Sequence, residues 1–414
     1  MANTLLVIGM ITRRALMVLE NRLSFTKQVN RDYDDRYAVS GAKIGTLLDI
    51  RIPPRYTVTT TVPLAVQDAT ETKTTLNLSN QHHVDLTFTS QDLTLSIDDF
   101  SDRFIEPAIA ALANKIDNTG LALYKDVYNA VGTPGTPPAS SGGVPVSAAT
   151  ALFQYGAAYA KMDFEATPRD NLRATVIDPT ANNFLVASLS GLFHSSVEIE
   201  EQYKTGNMGL SGGVKYSMDQ NINVHTVGPL GGTPLVNGVP AQGATTLVTD
   251  GWTAAAAARL NTGDVFTIAN VNAINPQSYA STGQLRQFVV TADVSSDGAG
   301  NATIPVSPAI RSTGSGATVT ALPADNAALT IFGAASTVTP QNLAFHRDAF
   351  TMACVDLEMP QGVDWAARVS SKKLGISMRL VRQYDINQDA FPCRVDVLYG
   401  WKTVRASLAC RIAG

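Results

Sequence analysis

The sequence predicts an α+β protein whose mixed chain is interrupted by an all-β segment. Alternating, β-branched strand patterns occupy residues 51–95 and return in residues 339–414. Apolar residues at helical spacing occupy residues 96–131. Between the helix and the last strands, residues 229–338 hold only eight charged residues and no Lys, a composition that marks them as a separate unit.

Length and composition narrow the class of protein. The 414 residues exceed the roughly 250–300 that one core supports, so we expect two or three domains. With 45% hydrophobic residues the chain is not disordered, and with only 16% charged residues it has little charge to cover a monomer's surface. The net charge of −4 argues against a dedicated DNA-wrapping protein. Part of the surface is therefore expected to be covered by partners or by uncharged polar side chains.

The N-terminal region is predicted to form an amphipathic helix over residues 3–23 and an extended arm over residues 24–50. Arg13, Arg14 and Arg22 lie away from the apolar stripe of this helix. They are candidates for contacting nucleic acid or an acidic partner, both of which would present negative charge to them. The alternative interpretation is a solvated helix face.

A long two-stranded excursion is predicted next. Pro53-Pro54 excludes a helix, and residues 56–62 alternate as a strand does. A polar stretch at 67–73 would form the tip, and strand character resumes in residues 76–88.

Residues 96–131 carry the strongest helical pattern. Pro107 falls inside this pattern and predicts a kink or a new helix start, and Gly120 is a second weak point. At about 1.5 Å per residue such an element would span roughly 35 to 50 Å, which is long for an ordinary domain.

The following segment mixes helices and strands. A loop rich in Gly, Pro and Ser at 132–146 precedes a predicted helix over 147–163 and a strand over 172–177. Asp178-Pro179 ends that strand and begins a further helix. Loops and short strands are predicted for residues 200–228.

Residues 229–338 are predicted to form a self-contained barrel or sandwich. Short alternating runs such as 264–268 and 287–291 are separated by Gly, Asn and Asp turns. The chain then returns to strands at residues 374–380, 393–399 and 406–412. The all-β unit therefore interrupts a domain that the C-terminal residues complete.

The sequence holds no recognisable catalytic or cofactor-binding motif. His82 and His83 are adjacent in a predicted strand, so their rings should point to opposite faces and make a poor metal site. Cys354, Cys393 and Cys410 form no CxxC pair and are expected to be free, buried thiols in a reducing compartment.

Two further features bear on chemistry and location. Asp98, Asp99, Asp102 and Glu106 are interpreted as an acidic first helical turn, with acid–base chemistry as the alternative. No apolar run approaches the 18 or so residues that span a bilayer, and the early apolar run lacks the preceding charges of a signal peptide. We therefore expect no catalysis, no cofactor, no metal and no membrane partner.

Several short motifs carry a resemblance to a known family. They are residues 342–350, the spacing of Cys393-Arg394, Tyr399-Gly400 and Arg405, the residues 98–100 leading to 112–115, and the turn at 177–179. In this order they resemble segments of the major capsid (coat) proteins of tailed double-stranded DNA phages, in the branch from short-tailed phages. Arg405 is followed here by Ala406-Ser407, where that branch often has Pro-Glu, so the C-terminal loop is expected to differ.

The resemblance implies an HK97-like capsid fold with an inserted β-barrel domain. The chain would comprise an N-terminal arm, an extended β-hairpin loop, a peripheral domain with a long spine helix, an axial domain, the inserted barrel, and C-terminal strands that complete the axial and peripheral domains. The implied boundaries, in that order, are 1–50, 51–80, 81–131, 132–228, 229–338 and 339–414.

The resemblance also implies a function, which is self-assembly into the icosahedral shell that encloses the phage genome. The implied partners are further copies of the chain in hexamers and pentamers, a scaffolding protein, a portal protein, and packaged double-stranded DNA by non-specific contact. The implied location is the virion, after assembly in the host cytoplasm. The alternatives are a nanocompartment shell with the same fold, a β-rich phage tail or adhesion protein, and an enzyme with an unrecognised active site.

Overall fold

The computed structural model describes residues 16–19, 22–31, 47–58, 66, 71–89, 106–189, 210–211, 213–371 and 375–414. The chain forms two compact units. The first unit comprises residues 1–51, 73–120 and 350–404, and the second comprises residues 52–72, 121–349 and 405–414. Each unit is built on its own sheets.

Strands dominate the described residues. The first twelve are β1 Leu47–Ile52, β2 Thr72–Asn77, β3 Asn80–Thr89, β4 Ala130–Gly132, β5 Ser140–Ser141, β6 Val144–Pro145, β7 Arg173–Ile177, β8 Leu210–Ser211, β9 Val214–Met218, β10 Val224–Thr226, β11 Leu235–Val236 and β12 Ala244–Asp250. The remainder are β13 Ala257–Leu260, β14 Val265–Ile274, β15 Ser281–Val290, β16 Val294–Ser296, β17 Ala302–Ile310, β18 Leu329–Ile331, β19 Val338–His346, β20 Phe350–Val355, β21 Trp365–Ser371, β22 Ile376–Arg382, β23 Ala390–Thr403 and β24 Ala409–Ala413.

The longer helices are α1 Glu106–Leu121, α2 Ala148–Ala151, α3 Phe153–Phe164 and α4 Pro179–Leu189. Short 3₁₀ turns follow at Ala122–Asp126, Arg347–Ala349 and Ala406–Leu408. In α1, Ile109, Leu112, Ala113 and Ile116 are buried, and their spacing places them on one face of the helix.

The five-stranded sheet of the first unit is organised around β23, a strand of fourteen residues. β3 pairs antiparallel with β23 over its whole length, while β20 and β22 also pair with it and β21 forms an outer strand beyond β22. Gly400 in β23 has no room for a side chain, because a Cβ there would collide with the main-chain oxygen of Asn77 and lie 2.8 Å from Leu76 Cδ2.

The segment 22–31 is anchored to α1 and to this sheet. The buried carboxylate of Asp117 accepts hydrogen bonds from Ser24 N at 2.7 Å and from Thr26 N at 3.0 Å. The Phe25 ring packs at 5.7 Å from the Phe350 ring and at 5.4 Å from the Trp401 ring. A residue before α1 in sequence thus completes the core of the first unit.

The second unit contains a seven-stranded sheet in the order β4-β24-β19-β7-β9-β8, with β10 also paired to β19. β7 runs parallel to β9, and β24 runs parallel to β4. α3 and α4 pack on this sheet in one apolar core, whose buried members include Tyr155, Met162, Leu185, Tyr216 and Ile412.

A second, six-stranded sheet has the order β11-β12-β17-β15-β14-β18. Its two edges are joined, because Val236 N donates to Ala327 O at 2.9 Å and Leu329 N donates to Pro234 O at 3.0 Å. The sheet therefore closes around its own core, which includes Phe266, Phe288, Val290, Ile304 and Ile310.

The chain leaves the seven-stranded sheet after β10 and forms the six-stranded sheet. It returns at the start of β19, next to the point where it left. Thr226 at the end of β10 is paired with Val338 at the start of β19. Close to this place, His225 Nε2 donates to Asp264 Oδ1 at 2.8 Å, and Gly228 N and Asn261 N donate to Asp264 Oδ2 at 3.0 and 2.7 Å. The Asp264 carboxylate is buried, so these charge-assisted bonds act in a medium of low polarity.

A second set of buried polar contacts joins the two sheets. The Gln287 amide forms a two-point pair with the main chain of Ala130, accepting from its N at 2.9 Å and donating to its O at 2.9 Å. The neighbouring Arg286 is ion-paired with Glu165, and its guanidinium lies 4.3 Å from the centre of the Tyr128 ring. Gln287 and the Arg286–Glu165 ion pair therefore link the six-stranded sheet to β4 and to the residue after α3.

Several sequence predictions are confirmed by these elements. β7 and α4 match the predicted strand and the helix that begins at Asp178-Pro179. Asp178 caps that helix through hydrogen bonds from Thr180 N and Ala181 N to its carboxylate. The strands predicted near 374–380, 393–399 and 406–412 appear as β22, β23 and β24.

The predicted strand at 56–62 is wrong where the structure describes it, because residues 56–58 have no regular structure. The strand instead precedes Pro53-Pro54 as β1, which pairs with β2. The predicted hairpin therefore lies about one strand earlier in sequence, and its second strand, β2, begins inside the predicted tip. The Pro pair ends a strand here rather than beginning one, since Pro cannot continue the ladder of hydrogen bonds.

The predicted helix 96–131 is wrong at its C-terminal end. α1 ends at Leu121, a 3₁₀ turn ends at Asp126, and Ala130 begins β4. Its sixteen described residues span about 24 Å, and residues 96–105 lie outside what the structure describes. Pro107 is the second described residue of α1, and Gly120 does not break the helix. A side chain on Gly120 would lie 2.7 Å from Trp401 Cζ2, so packing requires this glycine.

The N-terminal predictions fall largely outside the described residues. Residues 16–19 are helical and lie within the predicted helix, but residues 3–15 and 32–46 lie outside what the structure describes. The same is true of Asp98, Asp99 and Asp102.

We expect Asp264→Ala to lower the free energy of unfolding by about 3 kcal/mol or more, because two buried donors and the half-buried Asn261 N lose a charged acceptor. The matched control is Asp293→Ala, since exposed Asp293 also accepts from a loop, at Thr262 N and Oγ1, both at 2.7 Å. The control should cost less than about 1 kcal/mol. Urea unfolding of the unassembled subunit, followed by tryptophan fluorescence, measures both; equal losses would contradict the role assigned to Asp264.

We expect Gly400→Ala to destabilise the subunit by roughly 1–3 kcal/mol, because the new methyl group meets main-chain atoms that cannot rotate away. Gly298→Ala is the control, since a Cβ at that position meets nothing within 4 Å. Thermal unfolding should show a lower midpoint for the first variant only. An unchanged midpoint for Gly400→Ala would mean that β2 and β23 are not packed as described.

Candidate functional site

Of the three sequence-predicted arginines, only Arg22 lies in the described part of the chain. Arg22 is exposed, while Leu16, Leu19 and Leu23 around it are buried. The segment therefore presents Arg22 to solvent and its leucines to the core. Arg13 and Arg14 lie outside the described residues, so their role as scaffold- or DNA-facing groups stays a prediction.

The histidines are held in structural contacts. His82 Nδ1 lies 2.7 Å from the Tyr399 hydroxyl, whereas His83 Nδ1 lies 2.9 Å from Asp85 Oδ2. Their rings have different partners, as expected for neighbours in a strand. Burial is the main cause that lowers the pKa of His82. His346 is also buried and contacts Asp170 at 3.1 Å.

The three cysteines are free and buried. Burial raises the pKa of Cys354 to about 12, of Cys393 to about 11 and of Cys410 to about 12. The thiolate is the reactive form, so at neutral pH these groups are poor nucleophiles and poor metal ligands. Among the described residues no three His, Cys, Asp or Glu side chains lie close enough to hold a metal ion.

The polar chain around His225 is closed to solvent. The Tyr124 hydroxyl lies 3.2 Å from His225 Nδ1, and His225 Nε2 contacts Asp264. Arg411 Nη1 donates to Gly263 O at 2.8 Å, next to Asp264. Burial is the first cause that raises the pKa of Tyr124 and lowers that of Arg411 to about 10. These buried hydrogen-bonded groups can position the loops that carry them, but in the described structure they are not open to a substrate.

A surface cleft of about 370 Å³ lies between α3 and the strands β7 and β9. It is lined by Gly156, Tyr159, Ala160, Asp163, Arg169, Asn171, Arg173, Gly213 and Val214. Arg173 Nη2 donates to Asp163 Oδ1 at 2.7 Å, and Arg169 Nε donates to the same atom at 3.0 Å. Burial opposes ionisation of Asp163, but the two guanidinium groups outweigh it and lower its pKa.

The charged side chains that line this cleft therefore form ion pairs with one another. Arg173 is buried and also donates from Nε to Pro168 O at 2.9 Å. A carboxylate held ionised by two arginines is a poor proton donor, and neither arginine can act as a base. The arrangement supports a shaped surface with one net positive charge rather than acid–base chemistry.

Sequence reasoning missed this cleft and the Asp264 contacts. Asp163, Arg169 and Arg173 are six and ten residues apart, a spacing that matches no catalytic motif. His225 and Asp264 meet only because β10 and the start of β14 are adjacent in space. In the described part of the chain no helix is long and apolar enough to cross a membrane.

Comparison with solved structures gives remote matches to phage particles. A structure from Mycobacterium phage Che8 is 14% identical, with 94% of this chain and 90% of that chain covered and a TM-score of 0.46. The capsid structure of cyanophage P-SCSP1u is 10% identical, with 92% and 88% covered and a TM-score of 0.46. The I-domain of the CUS-3 coat protein is 25% identical over 26% of this chain and 100% of that chain, with a TM-score of 0.20. No curated protein sequence matches.

The family comparison covers most of the chain. The model of the P22 coat protein, gene protein 5, matches residues 54–411. This range includes the described strands from β2 to β23, both sheets of the second unit and the cleft. The chain therefore belongs to the P22 coat protein family, and it is a phage major capsid protein that forms a shell.

Proposed function

We propose that this chain assembles as hexamers and pentamers into a closed icosahedral shell around the phage double-stranded DNA. The observation that carries the proposal is the family match over residues 54–411. The geometry agrees with it, since the described polar groups are used to join elements and the thiols are unreactive. Closed shells arise when copies repeat the same contacts around rotation axes.

We further propose the HK97-like arrangement with an inserted barrel over residues 229–338. The support is that β10 and β19 pair at Thr226 and Val338, so the stretch begins and ends at one place. The joined edges of the six-stranded sheet support a barrel. α1 is the candidate for the spine helix, the β1–β2 pair for the extended loop, and the seven-stranded sheet for the axial domain.

The proposed partners are further copies, a scaffolding protein, a portal protein and the packaged DNA. The net charge of −4 suits non-specific and weak contact with DNA, because tight phosphate binding would hinder packaging. The three buried, unpaired thiols suit assembly in a reducing host cytoplasm before residence in the virion. We also propose that the chain has no enzymatic role.

The alternative of a tail or adhesion protein predicts an exposed aromatic patch on residues 229–338. Trp252, Phe266 and Phe288 are instead buried in the core of that stretch. Tyr279 and Phe332 are half-buried. The aromatic side chains therefore stabilise the sheet and do not form a binding platform. The nanocompartment alternative differs from the proposal in cargo, which the assembly experiment tests.

Expression of the full chain, alone and with the cognate scaffolding protein, should produce closed particles or ring-shaped capsomers. Sedimentation velocity and negative-stain microscopy measure this directly. A monodisperse monomer under both conditions would overturn the proposal. Particles from infected cells should hold double-stranded DNA, whereas particles that hold only protein would favour a nanocompartment.

Reversing the charge of Arg13, Arg14 and Arg22 to Glu should weaken scaffold binding and shell yield while the thermal midpoint of the free subunit stays unchanged. The physical reason is that basic side chains attract a negatively charged partner over a long range. Arg22→Glu alone can be compared with Arg311→Glu, another exposed arginine far along the chain. Shell yield that is equal in the triple variant and the unaltered chain would remove these residues from the proposal.

A further inference from the structure

The outer face of α3 is apolar and uncharged. Phe153, Gly156, Ala160 and Phe164 are exposed and lie at positions i, i+3, i+7 and i+11, which share one side of a helix. The exposed fraction is 72% for Phe153 and 39% for Phe164. The opposite side of the same helix, with Tyr155, Ala158 and Met162, is buried in the core.

This pattern is abnormal for a helix at a protein surface. Surface helices place one apolar stripe on the core and charged or polar residues on the other side, whereas a helix that is apolar on both sides is normally buried on both. The charged residues of α3 do not cover its outer face. Lys161 contacts Gln287, and Asp163 is bound by Arg169 and Arg173.

The shape of the face suits a second protein surface. Gly156 and Ala160 form a low saddle between the two phenylalanine rings, and a Cβ on Gly156 would meet nothing within 4 Å. The saddle continues into the cleft of about 370 Å³, which Gly156 and Ala160 also line. Leu172, between the lining residues Asn171 and Arg173, is 44% exposed.

We infer that this surface is buried against a second copy of the chain in the shell; the inference rests on the proposed function. A copy is the occupant that the charges favour. The cleft lining holds two arginines and one carboxylate, so its single net positive charge is too small to attract DNA strongly, and the face of α3 itself adds no charge. The chain itself is poor in charge, at 16%, so its own surfaces are suited to a contact of this kind.

The contact can be measured by thiol labelling of Ala160→Cys. The three native thiols are buried and have raised pKa values, so the introduced Cys should account for labelling by a maleimide at neutral pH. We expect the labelling rate to fall about tenfold or more between free subunits and shells assembled without scaffolding protein, because labelling requires access to solvent. Ala299→Cys is the matched control, an exposed alanine in a turn that should be labelled similarly in both states.

The possible results of this experiment distinguish a failure of the surface inference from a failure of the proposed function. Equal rates for Ala160→Cys in free subunits and shells would overturn the inference while the shell function stands. Protection that appears only with scaffolding protein present would assign the surface to that protein instead and would also overturn it. An unaltered chain that forms no shells would overturn the proposed function, and this inference with it.

The double variant Phe153→Ser with Phe164→Ser tests the same surface without a label. Both rings are exposed, so their removal should leave the thermal midpoint of the free subunit nearly unchanged, whereas shell yield at limiting concentration should fall about tenfold. Val248→Ser, a 47% exposed apolar residue on β12, is the control. Unaltered yield in the double variant would contradict the inference.

Discussion

The buried carboxylate of Asp264 is the interaction on which the second unit depends. It lies at the one place where the chain passes between the two sheets, and it accepts hydrogen bonds from His225, Gly228 and Asn261. An ionised group without such partners would be costly to bury, so the carboxylate imposes the position of all three. The register of β10 against β19 and the start of β14 are thereby fixed relative to each other.

Sequence patterns predicted the elements whose signals are local. Asp178-Pro179 marks a helix start by capping chemistry, and the alternation in β22 and β23 marks half-buried strands. They did not predict the end of α1, because Leu123 and Val127 continue the helical spacing, yet Val127 is extended and Ala130 pairs with Arg411 of the distant β24. They also did not predict the position of the first hairpin, since β1 and β2 pair across a long connection.

The candidate surfaces also differ in whether the sequence carries a signal for them. Phe153, Gly156, Ala160 and Phe164 are spaced for one helix face, a signal that was present in the sequence but was hidden because the opposite face is apolar as well. The family could be identified from short motifs that occur in a fixed order along the sequence. The cleft could not be predicted from the sequence, since Asp163 meets its two arginines only when α3, β7 and β9 are assembled. The low charge of residues 229–338 is even lower at the surface, because Arg259 and Arg286 are buried and Arg311 is the exposed cation of that stretch.

The pairing of Thr226 with Val338 has a consequence for how such a chain can diversify. β10 and β19, which flank the six-stranded sheet in sequence, are adjacent in space. The length and content of the stretch between them can therefore change without altering the separation of its ends. Loop-closure entropy rises only slowly with length, so a larger or smaller module is tolerated at little thermodynamic cost. The contacts of Asp264 with His225 and of Gln287 with Ala130 lie where this stretch meets the seven-stranded sheet, so a change of content that keeps them preserves its attachment.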